Sequence, residues 1–256
     1  MKQFSVLAII GLTLSGCAFA DNMAWDAVGN NQFGKLDLST GNFSPISNFG
    51  FTAAGLGQIG DVLYTAIEGG NTLYAVNTNT GALSTVGNAS LTYFAFGSTN
   101  SGLYMVDTVG GLWKIDPTSG ASTLIGSTHL LTGSNVVGIS SGSDVLYLSV
   151  GADVYTINTK TGASTLIGNT GATDFGALVS ENGTLYGTSV VLTNSVYSFN
   201  PSLGTASLIT NSNAPDYAYG LAPTVPAPTV PEPSTFAQFG VVGALLGGYA
   251  LKRKRA

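Results

Sequence analysis

"VYTINTKTGASTLIG", residues Val154 to Gly168, occurs in variant form four more times in this chain: "KLDLSTGNFSPI" from Lys35, "LYAVNTNTGALSTVG" from Leu73, "LWKIDPTSGASTLIG" from Leu112 and "VYSFNPSLGTASLIT" from Val196. In each copy an alternating, strand-like run ends at Asp37, Asn77, Asp116, Asn158 or Asn200, and a glycine follows four residues later, at Gly41, Gly81, Gly120, Gly162 or Gly204. An Asp or Asn side chain can close a turn on the backbone that follows it, and glycine accepts positive φ, so each copy reads as a hairpin. A row of Asp and Asn also raises the question of calcium. Three of the five are Asn and each stands alone in its own unit, so the row reads as structural turns and no metal site is expected.

The marker glycines recur about every 40 residues, the length of one four-stranded propeller blade. Working upstream, a second strand precedes each of the later glycines: "VLYTAI" from Val62, "GLYMVD" from Gly102, "VLYLSV" from Val145 and "TLYGTS" from Thr184. Before these stands a small residue followed by a large apolar one, at Gly55-Leu56, Ala95-Phe96, Gly138-Ile139 and Ala177-Leu178, as expected of innermost strands that crowd around an axis. The first unit begins at Met23, with Trp25 in the place of Tyr64, and lacks this inner strand. After the fifth unit, "DYAYGLAP" (Asp216 to Pro223) supplies the missing piece as Gly220-Leu221. The offset predicts an all-β fold, a five-bladed β-propeller of four-stranded blades closed by a C-terminal strand, which leaves no open sheet edge. An open β-solenoid is the alternative, and it gives no reason for the offset. The tyrosines of the Leu-Tyr strands and Trp113 are expected to pack between blades.

Composition agrees with many short strands joined by Gly-rich turns: 44% of residues are hydrophobic, 8% are charged and 35 are glycine. Between Asp21 and Pro231 stand three lysines and no arginine against twelve carboxylates, which leaves the body at about −9 at neutral pH. Such a body is ill suited to gripping phosphate, so nucleic acid is excluded as a partner.

Motifs for chemistry are sparse. The single histidine, His129, lies in the loop "GSTHLLTGSN" from Gly126. No metal-ligating cluster, phosphate-cradling loop or nucleophile motif occurs, and no cofactor is expected. Acid-base work needs only two carboxylates at the right separation. Asp174 and Asp216 begin successive inner strands, and Glu68 in "IEGGN" falls on the same end of the strands. Glu68, His129, Asp174 and Asp216 thus define a candidate ligand face. The body reads as a binding or scaffold module, with polysaccharide as a candidate partner. A propeller glycosidase or lyase using these carboxylates and a lipoprotein scaffold subunit are the alternatives.

The ends read as addresses. Met1-Lys2, the apolar Phe4 to Leu14 and the small-x-small "AFA" at Ala18 to Ala20 form a secretory signal (residues 1–20) for signal peptidase. "LSGC", Leu14 to Cys17, resembles a lipobox, the basis of the lipoprotein alternative. The propeller is expected over residues 21–222 and a Pro-rich linker over 223–233. Residues 234–256 then hold an apolar run, Phe236 to Leu251, and the basic cluster Lys252, Arg253, Lys254 and Arg255. As a helix that run spans roughly 24 Å, close to a hydrocarbon core of about 30 Å, with the basic cluster held inside.

Pro231-Glu232-Pro233, the apolar span and the basic tail, in that order, resemble the PEP-CTERM sorting signal of Gram-negative bacteria. The resemblance covers roughly the last 27 residues. It implies recognition by an exosortase, a membrane protease-transpeptidase, and removal of the helix and tail. The body would be held in the periplasm by the inner membrane, then passed to the cell surface or an exopolysaccharide biofilm matrix.

Overall fold

The computed structural model describes residues 22–130, 137–171, 174–190 and 194–224. Its described residues form strands and turns only. The first strands are β1 (Met23–Val28), β2 (Gln32–Asp37) and β3 (Phe43–Asn48). Next come β4 (Ala53–Ile59), β5 (Val62–Ile67), β6 (Thr72–Val76) and β7 (Leu83–Asn88), then β8 (Ala95–Thr99), β9 (Gly102–Val106), β10 (Gly111–Ile115) and β11 (Ser122–Ser127). They are followed by β12 (Val137–Ile139), β13 (Leu146–Val150), β14 (Asp153–Ile157) and β15 (Ser164–Asn169). The last are β16 (Phe175–Glu181), β17 (Thr184–Ser189), β18 (Ser195–Asn200), β19 (Thr205–Asn211) and β20 (Ala218–Pro223). The sheets run β20-β1-β2-β3, β12-β13-β14-β15 and β16-β17-β18-β19. An eight-stranded sheet holds the antiparallel sets β4–β7 and β8–β11, joined where β4 meets β8 in a single parallel pair, Gly55 with Phe96.

The repeated hairpin forms as its chemistry dictates. In the Asn158 copy the side-chain Oδ1 accepts the backbone N–H of Lys160 at 2.9 Å, and the carbonyl accepts that of Gly162 at 2.8 Å. The same pair of bonds forms at Asp37, Asn77, Asp116 and Asn200. All five marker glycines have positive φ, between 66° and 81°. Every hairpin also carries a register shift at one point, such as that between Val154 and Tyr155, which marks a β-bulge. A bulge adds twist. It also brings the glycine that ends the motif (Gly87, Gly126 or Gly168) under the marker glycine of the next copy (Gly120, Gly162 or Gly204). A Cβ on either partner would strike the other's backbone or that of its neighbour. The two glycines of the repeat are thus contact partners across consecutive units.

A second ring of contacts lies at the centre. The inner strands are neighbours in a closed cycle: β4 beside β8, β8 beside β12, β12 beside β16, β16 beside β20, and β20 beside β4. At each step a glycine permits the approach. A Cβ on Gly55 would strike the Phe96 carbonyl, one on Gly97 Ser140, one on Gly138 Gly176 and Ala177, one on Gly176 the Ala218 carbonyl, and one on Gly220 the backbone of Gly55. Buried hydroxyls tie the same strands: Ser98 Oγ accepts the Gln58 N–H at 2.9 Å and lies 2.5 Å from Ser141 Oγ, and the Ser180 N–H donates to the Ser141 carbonyl at 2.8 Å. The small residues expected at Ala95 and Ala177 are buried, and the glycines two residues after the first (Gly97) and one residue before the second (Gly176) leave no room for a Cβ.

Apolar cores fill the seams. Trp25, Phe33 and Phe49 meet Leu56, Leu63 and Val76 across the first seam. The last seam joins the end of the chain to its beginning, with Val179, Tyr186 and Val196 against Leu36, Leu38 and Phe43. β20 completes this closure by pairing antiparallel with β1, Asp26 opposite Leu221. Pro223, expected to open the linker, is the last residue of β20, which is an edge of its sheet and so can hold a proline. Tyr64, Tyr104 and Tyr186 are buried as expected, whereas Tyr147 is only half-buried.

Among the described residues no helix is long and apolar enough to cross a membrane. The signal segment, Cys17, Pro231, Glu232, Pro233, the Phe236 to Leu251 span and Lys252 to Arg255 lie outside the described residues.

The glycine ring makes a sharp expectation. Gly220→Ala places a methyl against the backbone of Gly55 and Leu56. Overpacking of this kind costs about 1–3 kcal/mol, and at about 2–4 °C per kcal/mol for a body of this size Tm falls by about 2–12 °C. Truncation after Asn213 removes β20 and is expected to abolish cooperative unfolding, measured by circular dichroism. A truncated chain that melts like the parent would rule out the closure.

Candidate functional site

The turns that follow β1, β5, β9, β13 and β17 share one end of the strands with the loops that lead into the inner strands. Glu68 sits in the turn after β5. That turn is clamped by the Glu68 N–H on the Thr52 carbonyl (3.0 Å), the Gly69 N–H on the Tyr93 carbonyl (2.9 Å) and the Tyr93 N–H on the Gly70 carbonyl (2.7 Å). Asp216 and Tyr217 lie in the loop leading into β20, and Tyr219 lies in β20 itself. The Gly29 N–H donates to the Tyr217 carbonyl at 3.0 Å. A Cβ on Gly29 would come within 2.7 Å of Asp216 Oδ2 and 2.9 Å of the Tyr219 ring, so the bare turn after β1 makes room for both side chains.

The rings of Tyr217 and Tyr219 lie 5.2 Å apart at 33°, and the Tyr219 hydroxyl donates to that of Tyr217 at 3.3 Å. Asp216 Oδ1 accepts the Tyr217 N–H at 2.9 Å. Burial pushes the Tyr219 phenol up, and so do its bond to Tyr217 and the charges of Tyr217, Glu68 and Asp216. Partial burial also raises the Glu68 carboxyl. The structure therefore brings Glu68 and Asp216 into one electrostatic neighbourhood, centred on a phenol that stays protonated at neutral pH. Tyr217 is 37% exposed.

Asp174 and His129 lie at the same end but in other turns. The Asp174 carbonyl accepts the Val190 N–H at 3.1 Å, and its carboxylate lies over the turn at Gly151. His129 is exposed, in left-handed backbone with φ 59°, and its N–H donates to Ser127 Oγ at 3.0 Å. The tyrosine pair was not singled out from the sequence, although the run "DYAYG" held the signal: two aromatics two residues apart, next to a carboxylate. Among the described residues no group of three or more His, Cys, Asp or Glu is placed to hold a metal ion.

Two buried acids were not anticipated either. Asp26, in β1 within "AWDAV", is 1% exposed, and its Oδ1 has no hydrogen-bond partner among the described residues. Burial pushes its carboxyl up to about 8. Glu181, the last residue of β16, is 4% exposed and is raised to about 7 by burial.

No protein-family model matches the chain, and no curated protein matches it. Among solved structures, a chain from the crystal structure of a nidogen/laminin complex is similar in fold. It has a TM-score of 0.54 and 11% identity, covering 78% of this chain and 97% of that one. The fold is a β-propeller. It is widely reused, with 416 chains of solved structures matching, so the likeness carries architecture and no activity.

The buried acids set a pH dependence. Both have folded pKa values above the ordinary carboxylate range, so the folded state binds more protons than the unfolded one between about pH 4 and 8. Their contribution to stability is complete below about pH 4 and is lost as pH rises through about 7 for Glu181 and about 8 for Asp26. Thermal unfolding midpoints are expected to fall from pH 5 to pH 9. Asp26→Asn should flatten the upper part of that fall, and Asp26→Asn combined with Glu181→Gln should flatten nearly all of it. Parallel slopes for parent and double variant would show that these acids are not the source.

Proposed function

We propose that the protein is an exported, non-enzymatic five-bladed β-propeller, sorted by an exosortase-type system to the cell surface or exopolysaccharide matrix, where it acts as a binding or scaffold module. The five-blade reading takes the eight-stranded sheet as two blades that touch at the single Gly55–Phe96 pair. It is supported by the five copies of the repeat and by the cycle of inner strands. The sorting reading rests on Pro231-Glu232-Pro233, the apolar span and the basic tail of the sequence.

The observation that carries the binding reading is the cluster of Tyr217, Tyr219, Asp216 and Glu68. An exposed aromatic ring beside hydroxyls and carboxylates suits the apolar face and hydroxyl edge of a sugar ring. On a glycan array the purified protein is expected to bind polysaccharide without releasing reducing ends, and Tyr217→Ala is expected to weaken binding at least tenfold. Release of reducing ends would replace this reading with the glycosidase alternative. For sorting, changing Pro231, Glu232 and Pro233 to Ala is expected to trap full-length protein in the inner membrane, scored by fractionation and immunoblotting. Unchanged release would reduce the motif to the end of a linker.

A further inference from the structure

At the opposite end of the strands from Asp216, a cavity of about 370 Å³ opens in the seam between β13 and the set β16–β18. Its walls include Tyr147 from β13, Ser180 from β16, Thr184 from β17, and Ser198, Phe199 and Asn200 from β18. It is a departure from the repeat. The tyrosines equivalent to Tyr147 in the other Leu-Tyr strands, Tyr64, Tyr104 and Tyr186, are buried, whereas Tyr147 is half-buried and faces this space. Burial nonetheless raises its phenol.

The chemistry of the walls is uniform. No Asp, Glu, Lys or Arg lines the cavity. Among the described residues the side-chain hydroxyls of Tyr147, Ser180, Thr184 and Ser198 make no hydrogen bond, although the residues around them pair normally. Asn200 spends its Oδ1 on the turn, accepting the N–H groups of Ser202 and Leu203 at 2.9 and 3.2 Å, which leaves its amide N–H groups as donors. Hydroxyls that can each donate and accept, set around an aromatic ring, match a ligand that is itself rich in hydroxyls. A charged ligand would find no counter-charge here. A peptide would find no free strand edge, because β17 and β18 are internal to their sheet and their backbone groups are taken. The volume lies at the small end of the range for ligand pockets, about 300–1,000 Å³.

We propose that this seam cavity is a binding site for a neutral sugar of one or two residues, stacked on Tyr147 and hydrogen-bonded by Ser180, Thr184, Ser198 and the Asn200 amide. The site does not rest on the function proposed above, since it shares no residue with the Tyr217 cluster. The test uses saturation-transfer NMR on the full-length protein with glucose, galactose, mannose, N-acetylglucosamine, cellobiose and lactose as probes. At least one is expected to bind saturably in the millimolar range. Tyr147→Leu and Thr184→Val are each expected to weaken that binding at least fivefold, while Val109→Ser, at an exposed residue in the turn after β9, leaves it unchanged. Thr184→Val is isosteric, so it decides the matter if Tyr147→Leu fails to fold by circular dichroism. No saturable binding from any of the six sugars overturns the proposal. So does binding lost in Tyr217→Ala but kept in Thr184→Val, which would place the sugar on the other end. A neutral Ser-Asn-Gly peptide that binds with the same variant dependence while the sugars do not would also overturn it, in favour of a peptide site.

Discussion

Around the axis of this protein, backbones approach so closely that a single methyl has no room, and much else follows from that crowding. Gly55, Gly97, Gly138, Gly176 and Gly220 each let an inner strand lie against the next one. Strands that touch at the centre must diverge outward, so each seam widens from glycine and serine near the axis to Leu, Ile, Val and aromatic side chains further out. Burying that apolar area is the main stabilising term. It becomes available only when the ring is closed, because each set of strands has apolar residues on both faces. The pairing of β20 with β1 is therefore a condition for the last seam to exist.

The same geometry governs where function can reside. Backbone contact and buried serines occupy the centre, so side chains able to meet a ligand are found at the strand ends and in flaws of the seams. Repetition makes most of these places alike: five turns with the same Asx bonds, and three buried Leu-Tyr tyrosines. The departures from the repeat are correspondingly informative. The loop before β20 carries Asp216, Tyr217 and Tyr219, and the seam at Tyr147 is left open. Both places are rich in hydroxyl and aromatic groups, and the body around them carries three lysines and no arginine.

The buried acids show another consequence of closing a ring from its two ends. Asp26 lies in the strand that receives β20, opposite Leu221 and Gly34. A carboxyl whose Oδ1 has no hydrogen-bond partner among the described residues is tolerated there in its neutral form, and it ties the stability of the closing sheet to pH.

From the sequence alone came the strand count per repeat, the Asx-glycine turn, the offset that sends the last strand back to the first unit, and the acidic, arginine-free character of the body. These are local properties: an alternating run, a side chain that bonds two residues on, a glycine where φ must be positive. Glu68 and Asp216 were also legible as sharing one end of the strands, because strand direction alone assigns the ends. What only the tertiary structure decided depends on residues far apart in the chain. That Gly97 has no room for a Cβ is set by how β8 meets β12 and the residue after it. Whether Tyr147 is covered, like its equivalents, is set by the packing of β16–β18. Whether Tyr219 feels both Glu68 and Asp216 is set by ring closure, which puts β20 beside β4. Period and turn chemistry are written residue by residue, whereas crowding, cavities and electrostatic neighbours arise only when separate repeats are brought into contact.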